Sequence, residues 1–169
     1  MKIELKKISL LDDNMTECID LKVLPSQKEF VASNAVSLAQ AYDTNKAYAE
    51  TGEGGIAVPY AIYDNGKMVG FIMYGYFPPE DGEDSYSKDE HIYYVWRLLI
   101  DKDHQGRGIG REALKQVMEE IKGKPYGEAS YCYSSYSPTN IASKTTFASY
   151  GFVEDGRVID KEVVARYKL

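Results

Sequence analysis

At 169 residues, with 44% hydrophobic and 27% charged positions, the chain reads as one globular domain spanning residues 1–169, long enough to bury a sheet under helices. Its net charge of −6 argues against nucleic acid as a partner, because affinity for a phosphate backbone comes from Lys and Arg; the same charge suits a cationic ligand or plain solubility. Cys18 and Cys132 lie far apart without metal-site spacing, no apolar run reaches about eighteen residues, and the N-terminus lacks a signal-like core, so the expectation is a cytoplasmic protein with no disulfide framework, no metal and no membrane span.

In chain order, residues 2–8 alternate as a first strand. Residues 12–21 follow as a helix with Asp12 or Asp13 as its cap, and Pro25-Ser26 opens a second helical region that runs, with a break, to about Tyr48. After a glycine-rich loop at 51–55, the runs 57–63 and 67–77 flank Asp64-Asn65-Gly66, a hairpin signal. Residues 78–90 form an acidic loop, and 91–100 is an apolar, aromatic run expected of a strand buried on both faces. Ile109, Ala113, Val117 and Ile121 recur at intervals of four, one face of a helix that Gly123 closes. A strand at 128–133, a helix opened by Ser137-Pro138 and ended by Gly151, and strands at 152–158 and 162–167 complete the chain. The order predicts an α/β fold of mixed α+β type: a mostly antiparallel, twisted sheet of about seven strands flanked by about four helices. Tyrosine, at 15 copies, suits half-buried strands beside a wet cleft.

The loop Gln105-Gly106-Arg107-Gly108-Ile109-Gly110 stands between an apolar strand and a helix. Closely spaced glycines there let backbone N–H groups converge on an anion, and the helix dipole adds to the attraction. No Lys-Ser/Thr follows, so this is not a nucleotide P-loop, and Arg111 breaks the dinucleotide pattern. Taken alone, the loop is also compatible with a simple strand-to-helix turn.

Leu98-x-Ile100 followed after four residues by this loop, together with Asn140, Ser143, Phe147 and Gly151-Phe152, resembles the acetyl-CoA site of the GNAT superfamily of N-acetyltransferases. The resemblance implies a GNAT-like fold, acetyl-CoA as cofactor, and frequent homodimers. It also implies roles. Backbone groups of Leu98, Leu99 and Ile100 would pair with the pantetheine arm. Amides from Gln105 through Gly106, Arg107, Gly108, Ile109 and Gly110 to Arg111 would hold the pyrophosphate. Asn140, Ser143, Lys144 and Phe147 would line the other side of the coenzyme.

Acyl transfer to an amine requires loss of a proton from a group with pKa near ~10.4, polarisation of a thioester carbonyl, and departure of a thiolate whose thiol pKa is about 8.5. Many members of the superfamily place a tyrosine acid where this chain has Phe147, which cannot donate. The catalytic groups are therefore open, with Tyr150, Glu90 and His91 as candidates. Pro25-Ser26-Gln27, Phe30-Val31-Ala32-Ser33-Asn34 and Tyr94-x-Trp96-Arg97-Leu98 resemble the small bacterial spermine/spermidine acetyltransferases. The implied acceptor is a small-molecule amine, with Glu29, Tyr76, Glu83, Asp84 and Glu90 as candidate contacts for a polyamine. An aminoglycoside, a protein N-terminus, or a non-catalytic acyl-CoA sensor, which Phe147 favours, are the alternatives.

Overall fold

A computed structural model describes residues 2–9 and 14–169. Among these residues the chain runs β1 (Ile3–Lys7), α1 (Met15–Asp20), a 3-10 turn (Pro25–Gln27), α2 (Asn34–Thr51), β2 (Ile56–Asp64), β3 (Lys67–Phe77), β4 (Ile92–Ile100), α3 (Ile109–Lys122), β5 (Tyr131–Tyr136), α4 (Ile141–Tyr150), β6 (Val153–Ile159) and β7 (Glu162–Lys168). The strands form a single sheet in the order β1-β2-β3-β4-β5-β7-β6. Every neighbouring pair is antiparallel except β4 with β5. This is the mixed, mostly antiparallel sheet that the element order predicts.

Local chemistry explains the ends of the elements. Asn65 and Gly66 take φ of 50° and 84°, the left-handed pair that a two-residue hairpin needs. The β6–β7 hairpin makes the same turn with Asp160 and Lys161, at φ 49° and 67°, and no glycine marks it in the sequence. The expected caps Asp12 and Asp13 lie outside the described residues; α1 starts after Asn14, whose amide instead ties down the end of β1 through Lys7 O (3.2 Å) and Ser9 N (3.1 Å). The second helical region is interrupted more than expected. After the turn at Pro25–Gln27 the chain leaves helix until Ser33, whose Oγ accepts from Val36 N and so caps α2. Likewise α4 begins not at Pro138 but behind Asn140, whose Oδ1 accepts from Ser143 N at 3.1 Å. β5 runs three residues beyond its predicted end, because pairing with β7 from Tyr131↔Lys168 to Tyr136↔Val163 sets its extent.

Both faces of the sheet are covered. Ile72, Tyr74, Tyr93 and Val95 point to the side packed by α3 and α4, where Ile109, Leu114, Val117, Met118 and Ile121 are buried, each worth roughly 1.5–3 kcal/mol of burial. Phe71, Met73 and Leu99 point the other way, toward Cys18 of α1 and Ala41 of α2. A carboxylate of α3 reaches buried tyrosines on this side. Glu120 accepts from Tyr74 Oη at 2.7 Å and from Tyr60 Oη at 3.0 Å.

Two irregularities open the sheet. β4 pairs with β5 only at Tyr93↔Cys132 and Tyr94↔Tyr133. Just beyond, the β3–β4 register slips between Met73↔Arg97 and Tyr74↔Val95, leaving Trp96 as an extra residue on β4. Such a bulge bends its strand and strengthens its twist, so β4 swings away from β5 here.

Candidate functional site

The gap between the diverging strands is a cleft of about 960 Å³. Its walls are the segment from Gln27 to Ala32, the second half of β4, the loop into α3, the end of β5 and the start of α4.

One end holds the glycine loop. Gly106 and Gly108 take φ of 74° and 79°, and a Cβ built on either would meet nothing within 4 Å. Glycine is required there by backbone conformation, not by crowding. Gly108 is the N-cap of α3 and offers no side-chain cap, which leaves the first amides of this helix without a capping acceptor, and Gly108, Ile109 and Gly110 line the cleft. Leu98, Leu99, Ile100, Ile109, Gly110, Arg111, Asn140, Ser143 and Phe147 also line the cleft. The side chains of three expected contacts have partners within the protein. Gln105 lines the cleft, but its amide exchanges hydrogen bonds with Gln27 (2.8 and 3.1 Å) and donates to Ile100 O. Arg107 folds back onto Asp103 O at 3.0 Å, and Lys144 pairs with Glu154 at 3.0 Å; neither lines the cleft.

The Gln27–Gln105 pair belongs to a row of ties between the N-terminal wall and this loop. Lys22 N donates to Asp101 Oδ2 at 3.0 Å, and Lys102 N donates to Lys22 O at 2.7 Å. Partial burial acts to raise the Asp101 pKa, but the amides of Lys22 and Asp103 and the His104 ring outweigh it and hold the carboxyl below its ordinary value.

The other end is polar and aromatic. Tyr94 Oη lies 2.7 Å from Ser135 Oγ, Ser135 donates to Glu162 Oε2, and Tyr86 Oη sits 3.2 Å from both hydroxyls. Burial pushes the Tyr94 phenol well above its usual pKa, so it remains a donor at neutral pH. Arg97 stacks over Trp96 at 5.3 Å, donates to Trp96 O and Gln40 Oε1, and buries an Nε that has no partner among the described residues. Burial draws this guanidinium below the ordinary arginine value.

Of the residues expected to contact the acceptor, only Glu29 lines the cleft. Glu83 and Asp84 are exposed and line no part of it. Tyr76 donates to Glu128 O and stacks on His91 at 4.9 Å. Glu90 accepts from Ser130, and with His91 it lines a separate, smaller pocket near Lys124 and Lys168. Tyr150 donates to Glu119 on α3 at 3.3 Å. Apart from Glu29, none of these acceptor and catalytic candidates lines the cleft; the acidic loop instead carries Tyr86 against Tyr94 and Ser135, which do line it. Tyr94, Ser135 and Glu162 were not anticipated. Tyr94 sat inside a quoted motif; Glu162 joins it only through the β5–β7 register, which no local pattern reveals.

At Phe147 no proton donor is available. Its ring is buried and stacks on Tyr136 at 6.0 Å between centroids. Tyr136 lines the cleft, but its hydroxyl donates to Glu154 at 3.1 Å, and burial, followed by that carboxylate, pushes the phenol up to about 12. No group of three or more His, Cys, Asp or Glu among the described residues could hold a metal ion, and no described helix is long and apolar enough to cross a membrane.

Fold and cleft define a class first, the N-acyltransferase architecture in which a mixed sheet opens beside a glycine loop. The model of the Acetyltransferase (GNAT) family matches residues 24–152. The chain is 30% identical over 163 residues to the "Probable spermine N(1)-acetyltransferase" of Bacillus subtilis subsp. natto (strain BEST195), covering 94% of this chain and 92% of that protein. It is 29% identical, with the same coverage, to the "Spermine/spermidine N(1)-acetyltransferase" of Bacillus subtilis (strain 168). The solved structure of aminoglycoside acetyltransferase AAC(6')-Ib in complex with coenzyme A superposes with a TM-score of 0.71 at 15% identity, covering 99% of this chain and 95% of that one, a likeness of fold. The chain belongs to the acetyltransferase (GNAT) family, and it is an acetyl-CoA-dependent N-acetyltransferase.

Proposed function

We propose that this enzyme acetylates a primary amine of a polyamine such as spermine or spermidine, the amine attacking directly while both substrates are bound. The observation that carries this reading is the lining of the cleft, which includes the carboxylates of Glu29 and Glu162 and the rings of Tyr94 and Trp96. A polyamine presents ammonium groups separated by methylenes, and carboxylates with aromatic faces match both. The two Bacillus subtilis relatives, named for spermine and spermidine, support the same acceptor class.

When bound, acetyl-CoA supplies an activated acyl carbon and a thiolate leaving group, its thiol pKa being about 8.5. The chain's own groups suit it. The amides at the start of α3 and the loop through Gly106 and Gly108 would hold the pyrophosphate, the free edge of β4 at Leu98, Leu99 and Ile100 would pair with the pantetheine arm, and Arg111, Asn140, Ser143 and Phe147 would line the rest. Asn140 would do so through its amide nitrogen, since its oxygen caps α4. Phe147 has no proton to give and the Tyr136 hydroxyl is engaged by Glu154, so solvent is the proton source proposed for the sulfur.

Thiol release from acetyl-CoA, measured over spermine, spermidine, kanamycin and an N-terminal peptide, tests the reading. Turnover is expected with the polyamines. Acetylation of kanamycin without spermidine would refute the acceptor class, and tight coenzyme binding without release from any amine would favour a sensor.

A further inference from the structure

Tyr94, Ser135 and Glu162 come from three strands, β4, β5 and β7, and meet at the point where the sheet opens. Their hydrogen bonds have a direction. Ser135 has one hydroxyl proton, and it goes to Glu162 Oε2. The proton at the Tyr94–Ser135 contact must therefore come from Tyr94, whose phenol burial keeps protonated. Tyr86 adds its own donor from the loop side at 3.2 Å. Arg157 fixes that loop by donating to Ser85 O and Tyr86 O at 3.0 and 3.2 Å while paired with Asp155.

Every donor in the chain thus points toward one oxygen of Glu162. Among the described residues the other oxygen, Oε1, makes no hydrogen bond, and Glu162 lines the cleft. A half-satisfied carboxylate held in place from behind is a seat for a cation that brings several N–H donors. The neighbouring cation, Arg97, feels the charge of Glu162 but makes no hydrogen bond to it. The guanidinium is held by Gln40, Trp96 O and the Trp96 ring.

We propose that Glu162 is the seat for an ammonium group of the acceptor, with Ser135 and Tyr94 as positioning residues that fix its rotamer. This rests on the amine-acetylation reading above and names the residue that makes the cleft select cations. It also separates the cleft's carboxylates. Glu29 has an exposed side chain at the rim, whereas Glu162 is anchored at the opening of the sheet.

The test is Glu162→Gln, which preserves shape and removes charge. Spermidine is titrated calorimetrically into the coenzyme A complex of wild type and variant, and steady-state constants are measured with acetyl-CoA. The loss of one charge-assisted contact weakens spermidine affinity about 10- to 100-fold, with the kinetic effect falling mainly on KM. Glu162→Asp should recover part of the affinity. Ser135→Ala, which frees the carboxylate to rotate, should weaken spermidine binding several-fold, while coenzyme A affinity stays within about twofold in all variants. Circular dichroism and melting confirm folding for each. Spermidine affinity and KM within twofold of wild type in Glu162→Gln would overturn the proposal. The two readings fail separately. Turnover of spermidine that ignores Glu162 sinks the seat and leaves the acceptor class intact. Spermidine binding that depends on Glu162 without turnover supports the seat and sinks the acetylation of polyamines. Neither binding nor turnover would overturn both.

Discussion

Replacing Gly108 by Ala isolates backbone conformation at the coenzyme end, because the new methyl would touch nothing within 4 Å. The difficulty is φ of 79°, where an L-residue pays roughly 1–2 kcal/mol. A smaller unfolded-state entropy offsets roughly 0.4–1 kcal/mol of this. Net destabilisation should therefore be near 1 kcal/mol, a melting shift of about 2–4 °C for a domain of this size. The open surroundings let the strained loop relax, and relaxation rotates the amide at the start of α3 away from the position it holds in the cleft. Weakening one or two of the amide–phosphate hydrogen bonds proposed above then gives about a 10- to 100-fold loss of coenzyme A affinity. Asn tolerates the left-handed region better than Ala, so Gly108→Asn should retain more of that affinity. Calorimetric titration of coenzyme A with parallel melting curves reads both quantities. If Gly108→Ala binds coenzyme A like wild type, or if the folded Asn variant binds no better than Ala, the loop does not act through its backbone geometry.

Glu120→Ala removes the carboxylate that accepts from Tyr60 and Tyr74, and should destabilise the fold by roughly 2–4 kcal/mol, or ~10 °C, in urea and thermal unfolding, while Tyr74→Phe in that background costs little more. Asp101 has a folded pKa below its ordinary value, so its contribution to stability is present above that value and is lost as pH falls through the folded pKa. The melting temperature of wild type should exceed that of Asp101→Asn at pH 6, with the difference closing toward pH 2–3.

What could be read from the residues follows from the range over which each signal acts. Asn65-Gly66, the four-residue spacing of Ile109 through Ile121 and the glycine loop are local signals, and each led to the right element. The starts of α2 and α4 were misjudged because Pro25 and Pro138 are favourable helix openers in isolation, whereas Ser33 and Asn140 make the capping hydrogen bonds. The proposed acceptor end was the least legible. Its carboxylate comes from β7 and its hydroxyls from β4 and β5, so its composition depends on strand pairing across more than sixty positions. A run of acids at 80–90 carries a strong compositional signal, yet solvated loops collect such charges without any ligand. Phe147 was informative in the other direction. A missing hydroxyl needs no tertiary context to be recognised, and its aromatic packing against Tyr136 and Phe152 accounts for the ring itself.

The extra residue at Trp96 also acts as a phase marker. Before it, odd-numbered Tyr93 and Val95 face the core under α3; after it, even-numbered Leu98 and Ile100 pack on that side while Leu99 faces α1 and α2. Alternation along an uninterrupted strand would have sent Arg97 into the apolar layer with Ile109 and Leu114 and turned Leu98 toward α1 and α2. Loss of a single position there would therefore exchange the inner and outer faces of the strand's second half, so that one insertion both parts the sheet and decides which side chains pack under α3 and which face α1 and α2.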